Sequence, residues 1–200
     1  LAISGITKKC IILDLDNTLW GGVIGEDGFD NIKLGDNPIG RSFVEFQKRL
    51  LALNKRGIIL AINSKNNFDD AIEVIQKHPN MILKEENFAC VKINWDDKVV
   101  NLQKIAEELN IGLDSMVFFD DDPINQEYVK KLLPEVLVVD LPKDSSQYPQ
   151  IITEMKEFDV LEITEEDTKR SDMYLGQKKR KELENKVSDF NEFLKQMDIE

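Results

Sequence analysis

Five short apolar runs, each leading into a polar cluster and then a helix-patterned segment, constrain this 200-residue chain more than anything else in it. The runs at 9–14, 58–62, 88–93, 116–119 and 136–139 are aliphatic or β-branched without polar alternation. Strands of that kind are covered on both faces. Between the first two runs, Phe43, Phe46, Leu50 and Leu53 recur at helical spacing over 41–55, and Gly57 follows as a stop. Helices are also predicted over 69–77, closed by Pro79, over 96–109, and from Pro123 to Leu133. The segment 20–36 holds five glycines and few periodic apolars, so it reads as a loop or short hairpin. Strand–helix alternation with right-handed crossovers specifies an α/β fold, a doubly wound parallel sheet.

Ligands in such folds bind at the carboxyl ends of the strands. Here the first run ends at Asp14, with Asp16 and Thr18 following. The second ends at Asn63-Ser64-Lys65, the third near Asn94 with Lys98 just beyond, and the fourth at Asp120-Asp121-Asp122. Every chemically capable group therefore falls on one edge. Carboxylates as close as Asp14 and Asp16 repel each other unless a cation lies between them. Asp14 can attack phosphorus as a nucleophile. Asp16 can protonate the leaving oxygen and later activate water, with its main-chain carbonyl left for a metal. Asp120 and Asp121 add oxygen ligands from another strand, a set suited to Mg²⁺. Ser64 offers a hydroxyl to a phosphoryl oxygen, and Lys98 offsets the negative charge. Thr18, Trp20, Gly21, Gly22, Lys65, Asn66 and Asn94 are expected to face the substrate, with Trp20 and the two glycines as a small flap. Asp122, before Pro123, is the expected cap of the following helix.

A net charge of −12 argues against non-specific nucleic-acid binding. No apolar run approaches the roughly 18–20 residues of a membrane span, and no signal-peptide pattern is seen. Two cysteines make no disulfide framework, and a reducing cytoplasm is the expected setting. Cys10 reads as a small core hydrophobe. His78, beside Pro79, reads as a helix end where a cation is favoured. Past about residue 150 the character changes. Residues 1–150 form the expected domain, and 151–200 a helical extension or connector, with Tyr174, Leu183, Val187, Phe190, Phe193 and Leu194 at helical spacing. The charged run 164–186 reads as a solvated helix face.

The set Asp14-Leu-Asp16-Asn-Thr18, Ser64, Lys98 and Asp120-Asp121 resembles the four motifs of the haloacid dehalogenase-like (HAD) phosphohydrolase superfamily. The resemblance covers residues 9–140. It implies a HAD-like Rossmannoid fold, Mg²⁺, Asp14 as nucleophile and Asp16 as acid/base. Asp121 is favoured as direct ligand and Asp120 as its partner, an order the residues themselves leave open. Residues 15–28, 63–67, Lys92-Ile-Asn-Trp95 and 120–123 further resemble the FkbH-like branch (subfamily IIIC), with Asp122 where that branch carries Asn. Some members of that branch load a glyceryl group from a phosphorylated glycerate onto an acyl carrier protein. Many are longer, so this chain corresponds to their phosphatase part. With only about 20 loop residues after the first strand, little or no cap is expected. The resemblance thus implies a phosphatase for a phosphorylated small-molecule or carrier-linked substrate. Alternatives are glyceryl transfer or a non-catalytic phosphate-binding module.

Overall fold

The computed structural model describes residues 8–158, 169–170, 172–181, 183–184 and 186. Five parallel strands, β1 (Cys10–Leu13), β2 (Ile59–Ser64), β3 (Phe88–Ile93), β4 (Met116–Asp120) and β5 (Leu137–Asp140), stand in the order β3-β2-β1-β4-β5. Among the described residues they are accompanied by α1 (Ile24–Asp27), α2 (Pro38–Lys55), α3 (Phe68–Lys77), α4 (Lys98–Leu109), α5 (Pro123–Leu132) and α6 (Tyr148–Glu154). This is the doubly wound α/β sheet expected. The strand order reverses between β1 and β4, and the crevice at such a switch point is where these folds take ligands.

Alternate strand residues enter two cores. Ile11, Leu13, Leu60, Ile62, Val117 and Phe119 pack in the core that α2, α3 and α6 share. Cys10, Ile12, Ile59, Ala61, Met116 and Phe118 pack in the core of α4 and α5. Coverage on both sides is why these runs show no polar alternation. Leu13 is level with Ile62 on one side and Phe119 on the other, so β1, β2 and β4 deliver their following residues to one edge.

Helix starts on that edge are fixed by side-chain caps. Asn37 accepts from Gly40 N–H at 2.7 Å ahead of Pro38, so α2 begins before its apolar periodicity does. Asp97 accepts from Val99 N–H at 2.8 Å, which places Lys98 in the first turn of α4. Asp122 caps α5 as expected, accepting from Ile124 N–H at 2.9 Å.

The strands run further than their apolar stretches. Ser64 and Asp120 are the last residues of β2 and β4, held in ladder register. The glycine-rich segment is more ordered than a plain loop, with α1 inside it and an antiparallel bridge between Gly21 and Lys33. Among the described residues no cap domain stands on the mouth side: residues 14–37 hold only α1, and 65–87 only α3 and one 3-10 turn. At the other end, α6 runs across position 150, and Ile152 and Phe158 belong to the first core.

The described positions from 169 to 186 are helical, and Tyr174 packs against the second core. Val187, Phe190, Phe193 and Leu194 lie outside the described residues. His78 departs from expectation. It ends α3 but is buried (8% exposed), and burial, then Lys84, lowers its pKa. Desolvation outweighs the favourable helix end, so the ring is neutral. Both cysteines are free and buried. No described helix is long and apolar enough to cross a membrane.

Candidate active site

Lys98 is the hub of the edge. It is 2% exposed, and its Nζ lies 2.8 Å from Asp14 Oδ1 and 3.0 Å from Asp120 Oδ2. It also donates to Asn63 O at 2.8 Å and sits 5.8 Å from the centre of the Phe118 ring. Burial alone would lower the pKa of the ammonium, but Asp14 and Asp120 outweigh it and raise it. Lys98 is therefore a fixed cation. Asn63 and Asn101 hold it in place. Asn63 Nδ2 donates to Lys98 O at 2.9 Å, and Asn101 Nδ2 donates to Asn63 Oδ1 at 3.2 Å and to Asn94 Oδ1 at 2.8 Å.

Three carboxylates converge beside that cation. Ligand oxygens of Asp14, Asp120 and Asp121 all lie within 4.8 Å of one another. Asp14 Oδ1 is buried and pairs with the ammonium without a well-directed hydrogen bond. The Asp120 carboxylate is more fully engaged: it accepts from Asp122 N–H at 2.9 Å and from Asn125 Nδ2 at 3.3 and 3.4 Å. Its pKa is raised, first by burial and then by Asp14. Burial, Asp14 and Asp120 push Asp121 up to about 7. The repulsion that helps to raise Asp120 and Asp121 is what a further cation would relieve.

The Asp16 carboxylate stands apart from this cluster. Its Oδ1 accepts from Trp20 Nε1 at 2.9 Å and from Ile24 N–H at 3.0 Å, and its Oδ2 from Asn66 Nδ2 at 2.9 Å. Burial raises its pKa, and these three donors work against the rise. The chain reverses just after it at Asn17, whose φ is +52°. Asn17 Oδ1 accepts from Gly22 N–H at 2.8 Å, and its carbonyl accepts from Tyr148 OH at 3.1 Å. Gly22 has φ +96°, and a Cβ there would collide with the Asp27 carboxylate.

Several residues expected to face the substrate are turned inward. Trp20 and Thr18 are fully buried, and Thr18 Oγ1 has no hydrogen-bond partner. Gly21 is buried, and a Cβ there would come within 2.9 Å of the Phe43 ring, so its smallness serves packing. Asn66 is 5% exposed and faces Asp16, and Asn94 is tied to Asn101 and Asp96 N–H. Packing against the first core and the asparagine network outweighs solvent exposure at these positions. Lys65 is exposed, Gly22 half-buried, and Ser64 buried at the end of β2. Asn63, Asn101, Asn125 and Tyr148 were not read as site residues from the sequence. Only the position of Asn63 at a strand end signalled its place.

The sheet order and its strand-end motifs define a HAD-like Rossmannoid fold. Among solved structures, the chain is similar to the N-terminal part of protein BF1531 from Bacteroides fragilis, described as containing a phosphatase domain and complexed with Mg. The two are 46% identical with a TM-score of 0.72, over 76% of this chain and 42% of that one. The chain thus spans less than half of that relative's length. Looser likenesses, at 17% and 18% identity, are to a Streptomyces avermitilis protein provisionally assigned to the HAD family hydrolases and to 3-deoxy-D-manno-octulosonate 8-phosphate phosphatase from Moraxella catarrhalis. Their TM-scores are 0.48 and 0.42, over 78% and 73% of this chain and 96% and 86% of theirs. No family model matches the chain, and no curated protein is significantly similar to it.

Proposed function

We propose that this chain is a Mg²⁺-dependent phosphohydrolase working through an aspartyl-phosphate. The observation that carries this reading is the cluster of Asp14, Asp120 and Asp121, with oxygens within 4.8 Å, around one buried lysine. Three carboxylates less one ammonium leave two negative charges when all are ionised, which a divalent ion balances. An all-oxygen donor set suits Mg²⁺, and the 46%-identical phosphatase-domain relative is complexed with Mg. Asp14, Asp120 and Asp121, with the main-chain carbonyl of Asp16, would hold the ion. Bound there, it would supply Lewis-acid polarisation of a phosphoryl oxygen. Asp121 is the favoured direct ligand, because the Asp120 carboxylate is already shared among Lys98, Asp122 N–H and Asn125.

Asp14 attacks phosphorus, and the leaving oxygen takes a proton from Asp16. Water then attacks the aspartyl-phosphate, giving its proton to Asp16, and Asp14 is released. Lys98 neutralises charge throughout from a preorganised position. Ser64 donates to a phosphoryl oxygen, and Lys65, exposed at the rim, reaches the substrate. With no cap over the mouth, a bulky phosphorylated small molecule or a tethered one can enter.

The FkbH-like reading rests on the sequence motifs. Its glyceryl-transfer step gains no support from a thiol here. Both cysteines are buried, and burial followed by Glu108 pushes Cys90 up to about 12. Glyceryl transfer predicts an adduct on protein or carrier when a phosphorylated glycerate is supplied, and an intact-mass measurement showing none with the carrier present would remove it.

The deciding experiment is phosphate release from p-nitrophenyl phosphate with and without Mg²⁺, for wild type and Asp14→Asn. Release should require Mg²⁺, and Asp14→Asn should lose at least about 10³-fold in rate while still unfolding in a cooperative melt. Wild-type turnover by Asp14→Asn would remove the nucleophile assignment. No release by the wild type under any metal would favour a non-catalytic phosphate-binding module.

A further inference from the structure

Three uncharged donors meet at Asp16, and two of them are side chains that contribute no charge of their own. The Trp20 indole N–H and the Ile24 N–H both bind Oδ1, at 2.9 and 3.0 Å, while Asn66 Nδ2 binds Oδ2 at 2.9 Å. Trp20 is 0% and Asn66 5% exposed, so neither has surface for an incoming ester. They arrive from different places. Trp20 pairs back to Asp16 through an isolated β-bridge, and Asn66 lies between β2 and α3. An ionised carboxylate has about four lone-pair positions. Two donors fill those of Oδ1, and one donor leaves a position on Oδ2.

We infer that Trp20 and Asn66 are positioning residues for Asp16, saturating Oδ1 and orienting Oδ2 so that the transferred proton is carried there. The inference rests on the phosphohydrolase reading above. As the bond from phosphorus to the leaving oxygen breaks, its electron pair passes to that oxygen, which takes the proton from Oδ2. In the second half-reaction water attacks phosphorus, its proton passes to Oδ2, and the bond from phosphorus to the Asp14 oxygen breaks to release phosphate. Neutral donors suit this cycle. They fix the orientation of the carboxylate without placing a charge against it.

The test compares kcat/KM for p-nitrophenyl phosphate and phenyl phosphate, two esters of similar shape, in Mg²⁺-loaded enzyme. This ratio covers the steps up to departure of the alcohol. p-Nitrophenolate leaves well without a proton, whereas phenolate needs one. Asp16→Asn sets the reference and should lose on the order of 10² more on phenyl phosphate than on the nitrophenyl ester. Trp20→Phe, which keeps the ring and removes the N–H, and Asn66→Ala should show the same split at about tenfold. Equal losses on both esters, or none, in these two variants would overturn the inference while the Asp16→Asn split leaves the phosphatase reading standing. Absence of a split in Asp16→Asn overturns the acid/base assignment and the inference with it. Should Trp20→Phe fail to fold, Asn66→Ala decides alone.

Discussion

Asp14 and Asp16 are two residues apart, yet they are stabilised by different kinds of neighbour. Asp14 lies against the buried ammonium of Lys98 at 2.8 Å, with two further carboxylates close by. Asp16 is surrounded by an indole, a backbone amide and a carboxamide, none of them charged. A charge partner offsets the charge of a buried group, whereas neutral donors fix its orientation without adding a charge. The first environment fits a nucleophile and ion ligand, the second a proton carrier. Only tertiary neighbours separate the two roles, since the sequence gives both residues the same side chain in the same loop.

Removing Lys98 should break this contrast most severely. Lys98→Met leaves Asp14 and Asp120 buried without their counter-charge. Breaking a buried pair on one side costs about 3–5 kcal/mol, or roughly 6–20 °C in melting temperature for a domain of this size. Turnover should fall by about 10²–10³-fold, the range for loss of a preorganised electrostatic group. Calorimetry and the phosphate-release assay measure the two effects. A Lys98→Met protein that melts within a degree of wild type would show that the three carboxylates do not depend on the lysine. Added Mg²⁺ should return part of the lost stability, because the ion binds the folded cluster and not the unfolded chain.

A gentler version of the same cut reaches Lys98 through its neutral support. Asn101 is fully buried and donates to both Asn63 and Asn94. Asn101→Ala takes the donor from the buried Asn63 Oδ1 at about 1–3 kcal/mol, while Asn94 Oδ1 keeps Asp96 N–H and the charges stay in place. It should lower the melting temperature while reducing turnover less than Lys98→Met does. If the activity loss matched that of Lys98→Met, the asparagines would be part of the electrostatics and not merely its frame.

Much of the fold could be read because the strands are buried on both faces, which writes them as unbroken apolar runs. Their polar ends were legible for the same reason: Asp14, Ser64, Lys98, Asp120 and Asp121 stand where those runs stop. What escaped was lateral. Lys98 and Asn63 are 35 positions apart, and Asn101 and Asn63 38, and asparagine carries no periodic signal. Trp20, expected in a flap by the nucleophile, and Asn66, expected at the substrate, both donate to Asp16, which only tertiary packing shows. The helix α6 was missed because its apolar face spans barely two turns, Tyr148 and Ile152, and takes its meaning from α2.

The smallest effect is expected at the other buried base. Lys98 keeps its proton because two aspartates face it. His78 is also buried, but its pKa is lowered, by burial first and by Lys84 second, with Asp30 opposing only weakly. It packs on the Phe29 ring at 5.3 Å, and its Nδ1 accepts from Asn80 N–H at 3.3 Å, an arrangement that uses the neutral ring. A base whose folded pKa lies below its unfolded value of 6.5 takes up protons more readily when unfolded. Its contribution to stability is therefore complete above pH 6.5 and is lost as pH falls through the folded value. Between about pH 7 and 5 the raised Asp121 acts with the opposite sign, adding stability as the pH falls. His78→Gln should therefore tilt the dependence of melting temperature on pH towards greater relative stability at the acid end than wild type shows, with phosphate release at neutral pH unchanged. An unchanged dependence in that variant would show that His78 does not contribute and end the parallel between the two bases.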